Sequence, residues 1–213
     1  MQVAVVLYPG FTALDMVGPY EVLSFLPGAR PVLVADQPGP VADELGTMVV
    51  TATAGFDEVT RPDVVVVRGG PGQVGQMVDG RLHAWLRAVD RTSTWTTSVC
   101  TGSLILAAAG LLTGRRATTH WLAVDQLAAF GVIPAQERVV TDGHYVTAAG
   151  VSAGIDMGLT LAGRIAGDHV AQLRQLSIEY APEPPYAAGS PDTAPAAVVS
   201  ELLASRQQIL TGR

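Results

Sequence analysis

Cys100 is the sole cysteine of the chain, and it lies where a β-prone run, Thr94–Thr101, meets an apolar helix-prone run, Leu104–Ala109. Ser98-Val99-Cys100-Thr101-Gly102 has the G-x-S-x-G spacing of a nucleophile elbow, with Cys as the nucleophile and Ser at the first glycine position. A tight strand-to-helix turn of this kind pushes one side chain into a cleft. It also places that side chain at a helix N-terminus, where unpaired N–H groups and the helix dipole favour an anion. The expected consequence is a thiol moved from about 8.5 into the range of roughly 3.5–7.5. A lone cysteine serves equally well as a small buried hydrophobe. The turn signals by themselves leave both readings open.

Three other places carry chemistry-bearing residues. Asp15 falls at the start of a helix just past the first strand, a position suited to an N-cap or to a ligand-binding acid at the carboxyl end of a parallel sheet. Arg68-Gly69-Gly70-Pro71-Gly72 closes another strand. No Walker Lys-Ser/Thr accompanies it, so the loop reads as backbone N–H groups left facing a site, or as an ordinary connection. His120 opens a helix, where a structural role is commoner than a catalytic one, and it is kept outside the catalytic set.

The elements that would position these residues follow from patterning. Gln2–Tyr8, Pro31–Ala35 and Asp63–Val67 are short apolar runs rich in β-branched residues, as in strands buried on both faces of a parallel sheet. Helical spacing covers Leu14–Leu26, Val78–Val89, Leu104–Leu112, Trp121–Phe130, Gly150–Ala166 (with Ser152 as its N-cap) and Val170–Tyr180. Gln37–Thr53 reads as a small β excursion without chemistry, and Asp142-Gly143 as the turn of a hairpin between Arg138–Val140 and Tyr145–Ala148. Ala181–Pro195, with five prolines, is expected to be irregular, and Ala196–Leu210 to be a helix on the surface or on a partner chain. Strands alternating with helices imply an α/β fold with a parallel sheet, in one domain over residues 1–213.

Composition narrows the class. The chain has 213 residues, 48% hydrophobic, with a formal net charge of −6 and no Lys/Arg cluster, which argues against nucleic acid or an anionic membrane as partner. One cysteine forms no internal disulfide, and neither a signal peptide nor a run of transmembrane length appears, so a cytoplasmic protein is expected.

The order of these signals resembles the ThiJ/PfpI superfamily. The segments that carry the likeness are Leu14-Asp15-Met16-Val17-Gly18-Pro19, Gly69-Gly70-Pro71-Gly72 and Thr97–Leu104, then Arg116–Trp121, Ala153-Gly154-Ile155-Asp156, Glu179–Pro182 and Gly189–Pro195. Within that superfamily they are most similar to the isonitrile hydratase (cyclohexyl-isocyanide hydratase) branch. The resemblance implies a flavodoxin-like three-layer sandwich, related to class I glutamine amidotransferases, with a mostly parallel sheet. It implies hydration of an isocyanide to the N-substituted formamide, with Cys100 as nucleophile and Asp15 as acid and base. Asp15 should then hold a proton near neutral pH through burial and the adjacent thiolate. Thr101 would hold water or nitrogen through its hydroxyl and pair its N–H with that of Gly70 as oxyanion donors.

A mainly apolar pocket is expected, with His120, Trp121, Gly150 and Arg68 as candidate lining residues. The resemblance further implies a homodimer acting on a small isocyanide and water, with no cofactor and no metal. Two departures matter. Arg68 stands where relatives usually have Pro; it is expected to point into solvent, and if turned inward it would stabilise a thiolate or favour an acidic substrate. Thr101 follows the nucleophile where the protease-like branch has His, so that branch loses its base. Glyoxalase- or deglycase-type chemistry on 2-oxoaldehydes and redox sensing through Cys100 oxidation remain the rival readings.

Overall fold

In the computed structural model, which describes residues 1–212, the apolar runs become the middle of a sheet. In chain order the elements begin β1 (Gln2–Val6), α1 (Ala13–Leu23), β2 (Arg30–Ala35), β3 (Gly39–Ala42), β4 (Val49–Ala52), β5 (Ala54–Gly55) and β6 (Val64–Val67). They continue with α2 (Gln73–Gln76), α3 (Arg81–Asp90), β7 (Trp95–Val99), α4 (Gly102–Ala108), β8 (Arg116–Ala117), a 3-10 helix (Trp121–Phe130) and β9 (Ile133–Pro134). The remainder is β10 (Val139–Asp142), β11 (Tyr145–Ala148), α5 (Ala153–Ala166), α6 (Asp168–Ser177), α7 (Ala196–Ala204) and α8 (Arg206–Thr211).

The main sheet has seven strands in the order β10-β11-β7-β6-β1-β2-β5. All neighbours are parallel except β10, which pairs antiparallel with β11 across the turn at Asp142 and Tyr145. Side chains on a strand point alternately to opposite faces. Val3, Val5, Val64 and Val66 accordingly pack with α1 and α5, while Ala4, Val6, Val65 and Val67 pack with α3, α4 and the 3-10 helix. Burial on both faces is why these strands are continuous apolar runs. The result is a three-layer α/β sandwich with a mostly parallel sheet, the flavodoxin-like arrangement expected. The β excursion is the antiparallel β3–β4 pair.

Strand order reverses between β1 and β6, since β2 lies on one side of β1 and β6 and β7 on the other. Crevices outside the carboxyl ends of strands at such a switch point are where open α/β sheets bind ligands. Asp15, the Gly69-Gly70 loop and Cys100 follow β1, β6 and β7 respectively. Close packing of α1 on α5 fixes the Asp15 side of this crevice. A Cβ on Gly158 would lie 2.9 Å from Val22 Cβ, and one on Gly154 would lie 3.0 Å from Pro19 Cδ.

Several local expectations are corrected. Ser152 sits at the N-cap of α5 without a side-chain cap bond; its hydroxyl instead accepts from Arg138 Nη2 at 3.2 Å. Trp121–Phe130 is helical over the expected span, but as a 3-10 helix. The expected terminal helix is broken at Ser205, and its second piece is not confined to the surface, because Leu210 is buried in the core. No helix among the described residues is long and apolar enough to cross a membrane.

Candidate active site

The elbow forms because β7 must turn sharply beneath α4. Cys100 has φ +54, a left-handed conformation that costs a non-glycine residue roughly 1–2 kcal/mol. Its backbone is held on both sides. The N–H donates to Ala148 O and Ala149 O at 3.1 and 2.9 Å, and the carbonyl accepts from Ser103 Oγ and Thr119 Oγ1 at 3.2 and 2.9 Å. Gly102 is required by space, since a Cβ there would lie 2.2 Å from Val67 O at the end of β6. These contacts fix the position of the Cys100 backbone.

Asp15 is fully buried in the first turn of α1. Gly69 N–H donates to its Oδ2 at 2.9 Å, while Oδ1 is buried with no protein partner. Burial pushes the carboxyl up to about 7; the Gly69 N–H, Cys100 and the Arg68 cation pull against this, and Glu44 adds to it. An acid holding a proton near neutral pH is the expectation for this position, and burial acts in that direction.

The Cys100 thiol departs from expectation. Burial pushes it well up, and Asp15 pushes it further, while the backbone N–H groups of Thr101 and Val151 pull it down. Helix-start placement therefore does not by itself yield a low thiol; desolvation outweighs it. Asp15 and Cys100 each shift the other, so protons leave them as a pair that resists holding two negative charges.

The Gly69-Gly70 loop ties the acid to the elbow. Gly70 N–H donates to Thr101 Oγ1 at 3.1 Å, so this donor reaches the site through the threonine hydroxyl. Gly70 has φ +122, and a Cβ on Gly69 would lie 2.6 Å from Thr101 Oγ1 and 2.9 Å from Asp15 Oδ2. Only glycines let the three strand ends come this close.

A cavity of about 180 Å³ opens over this centre, lined by Cys100, Thr101, Gly70, Pro71 and His120. Thr12, Glu44, Val151, Ile209 and Leu210 complete it. Larger grooves exist elsewhere, including one of about 520 Å³ along α5 and α6, but that one has no thiol in its lining. Burial pushes His120 down, and its Nδ1 accepts from Leu122 N–H at 3.3 Å, which describes a neutral ring with its proton on Nε2. Among the described residues no cluster of His, Cys, Asp and Glu is disposed to hold a metal ion.

The remaining candidates divide. Gly150 lies under His120, whose Cδ2 would be 2.9 Å from an added Cβ. Trp121 instead lines a separate cavity with Thr118, Thr119 and Ser190. Arg68 neither reaches solvent nor lines the Cys100 cavity. It is fully buried, its guanidinium 3.7 Å from the Phe11 ring centroid and 4.5 Å from that of Tyr8. Its Nε donates to Val6 O at 2.7 Å and its Nη2 to Tyr8 O at 3.0 Å. Aromatic faces and main-chain carbonyls replace its water, so the cation acts on Asp15 from behind the site.

Two stretches of chain that line the cavity went unread in the sequence. Glu44 comes from the β3–β4 excursion, which was expected to hold no chemistry, and Ile209 and Leu210 come from the last helix. A strand-end thiol elbow, a raised strand-end acid and a glycine loop meeting at the switch point of a parallel sheet define a class of cysteine-centred α/β proteins. The sequence profile of the DJ-1/PfpI family matches residues 1–164. The chain belongs to the DJ-1/PfpI family.

The chain is 46% identical over 201 residues to isonitrile hydratase of Pseudomonas putida, covering 94% of this chain and 88% of that one. A crystal structure of a ThiJ/PfpI family protein from Pseudomonas syringae matches with a TM-score of 0.95 at 39% identity, covering 98% of this chain and 87% of that one. The HTH-type transcriptional regulator CdhR of Pseudomonas aeruginosa is 35% identical over 173 residues, which are 78% of this chain and 51% of the regulator.

Proposed function

We propose that this protein is an isonitrile hydratase, converting R–N≡C and water to R–NH–CHO. The observation that carries the reading is a fully buried acid, pushed up to about 7 and with one oxygen unpartnered, beside the elbow thiol. Likeness to the Pseudomonas putida isonitrile hydratase supports it over nearly the whole chain.

The terminal carbon of an isonitrile must gain both a nucleophile and a proton. In the singly charged form of the pair that carries the proton on Asp15 and the charge on Cys100, the thiolate forms the C–S bond while Asp15 gives its proton to the same carbon, leaving a thioimidate, R–N=CH–S. Water then adds its oxygen to that carbon, and Asp15 carboxylate carries the released proton to nitrogen. The C–S bond breaks, thiolate departs, and the hydroxyl proton returns to Asp15 as the formamide forms. Atoms balance and the pair ends as it began. A group that gives and takes protons in turn works best with a pKa near the operating pH, which burial supplies here. Thr101 and the Gly70 N–H behind its hydroxyl would hold the water or the nitrogen. A cavity mostly lined by small and apolar groups suits a substrate whose isonitrile bears no charge.

The same reading takes residues 1–213 as one domain acting in the cytoplasm as a homodimer, without nucleic acid or membrane. The test is formamide production from a panel of alkyl and aryl isocyanides. Wild-type protein should form formamide and Cys100→Ala should not; full turnover by the variant would remove the nucleophile.

A further inference from the structure

Among the described residues, the mouth of the Cys100 cavity carries a carboxylate with no cation beside it. Glu44 lines the cavity, and its position is fixed by its own backbone. The Glu44 N–H donates to Phe11 O at 2.8 Å, and adjacent Asp43 forms a bridge with Phe11. Glu44 Oε2 accepts from Thr12 Oγ1 at 3.3 Å, a bond that leaves the charge in place. None of the ion pairs among the described residues includes Glu44. Asp43 does not share the role, because its Oδ1 is held by the Thr47 and Met48 N–H groups at 3.0 and 3.1 Å.

Among the described residues, the rest of the lining offers nothing to offset this charge. His120 is neutral, and Pro71, Val151, Ile209 and Leu210 are apolar. The nearest loop cation, Arg68, lies behind the site against Phe11 and Tyr8, bonded to main-chain carbonyls. An entering molecule therefore meets an apolar wall on one side and an unpaired carboxylate on the other.

We propose that Glu44 sets the charge class of substrate: the site accepts isonitriles bearing neutral or cationic groups and rejects those bearing a carboxylate. This rests on the hydratase reading and adds to it the identity of the substituent. Two like charges confined to one small, partly desolvated cavity repel enough to change a rate constant by roughly tenfold to a hundredfold. A cationic substituent gains by a smaller factor, because both charges remain partly in water.

The experiment measures kcat/KM for cyclohexyl isocyanide, an isocyanoalkanoate and a dimethylaminoalkyl isocyanide with wild-type protein and with Glu44→Gln. Ratios between substrates are the readout, so a rate change common to all three cancels. Wild type should disfavour the anionic substrate at least tenfold against the neutral one. Glu44→Gln should raise the anionic-to-neutral ratio about tenfold and lower the cationic-to-neutral ratio severalfold. Added salt should compress the wild-type ratios in the same direction. Unchanged ratios in Glu44→Gln, or an equal loss on all three substrates, would overturn charge selection and leave hydration standing. Absence of formamide from every substrate with wild type would instead bring down the hydratase reading, and the selection with it.

Discussion

Replacing Asp15 by asparagine separates a catalytic effect from a stability effect of opposite sign. In the folded protein the carboxyl is pushed up to about 7, chiefly by burial, from 3.8. The native state thus binds this proton more tightly than the unfolded chain. The stability so gained is fully present below about pH 4 and is lost as pH rises to about 7. At about 1.4 kcal/mol per pH unit, the span from 3.8 to about 7 is worth about 4 kcal/mol. Cys100 shares the proton, so about 2–4 kcal/mol is the expected range.

The amide in Asp15→Asn still accepts from Gly69 N–H but never ionises. At pH 8 the variant should be more stable than wild type by about 2–4 kcal/mol, or roughly 5–15 °C in Tm for a chain of this size. At pH 4.5 the two should melt within a few degrees of each other. Formamide production should fall by about 10²–10⁴, the usual worth of a positioned acid–base group. Thermal melts from pH 4.5 to 8.5 and initial rates at pH 7.5 provide the measurements. A Tm difference that does not change with pH would refute the raised carboxyl, and turnover above a tenth of wild type would refute its role as the acid.

Other substitutions test the supporting geometry. Cys100→Ala and Cys100→Gly should both lose turnover by at least about 10³, but the glycine variant should be about 1 kcal/mol the more stable in urea melts, because φ +54 strains any residue with a Cβ. Gly69→Ala should cut kcat by about 10² and lower stability by about 1–3 kcal/mol, since its Cβ would collide with Thr101 and Asp15; steady-state rates and a melt check both. Leu210→Ala should raise KM for cyclohexyl isocyanide about tenfold while changing kcat less, because it removes apolar cavity wall away from the thiol. A larger loss in kcat than in KM would place Leu210 in positioning the reacting groups instead.

What the sequence disclosed was what local pattern controls. Runs such as Asp63–Val67 announced central strands because burial on both faces leaves no alternation to read. The elbow was legible because the chain turn after β7 requires a small residue, Gly102, and Asp15 because it falls in the first turn of the helix that follows β1, although Thr12 and not Asp15 is the N-cap. Cys100 chemistry was half legible: its place was evident, but the direction of its shift depends on how much protein covers it, and desolvation outweighed the helix terminus. Arg68 was misread because burial of a long cation depends on partners far away in sequence, here Val6, Tyr8 and Phe11. Glu44 and Leu210 reach the cavity through tertiary contacts alone. Glu44 is placed by a backbone bond to Phe11, and α8 by contacts such as Gln73 Nε2 donating to Leu210 O at 3.4 Å across 137 positions.

The position of α8 has a consequence for how such proteins diverge. Cys100, Asp15, Thr101 and the glycine loop all fall within residues 1–164, the part shared across the family, whereas Ile209 and Leu210 come from beyond it. The proposed reacting centre and one side of its container are thus encoded in separable stretches of chain. Changes in the last helix can reshape the container while the elbow, with its tight glycine contacts, stays as it is. Exchanging the segment from Ala196 onward between relatives would make that separation visible as a transfer of substrate size preference, with the chemistry left in place.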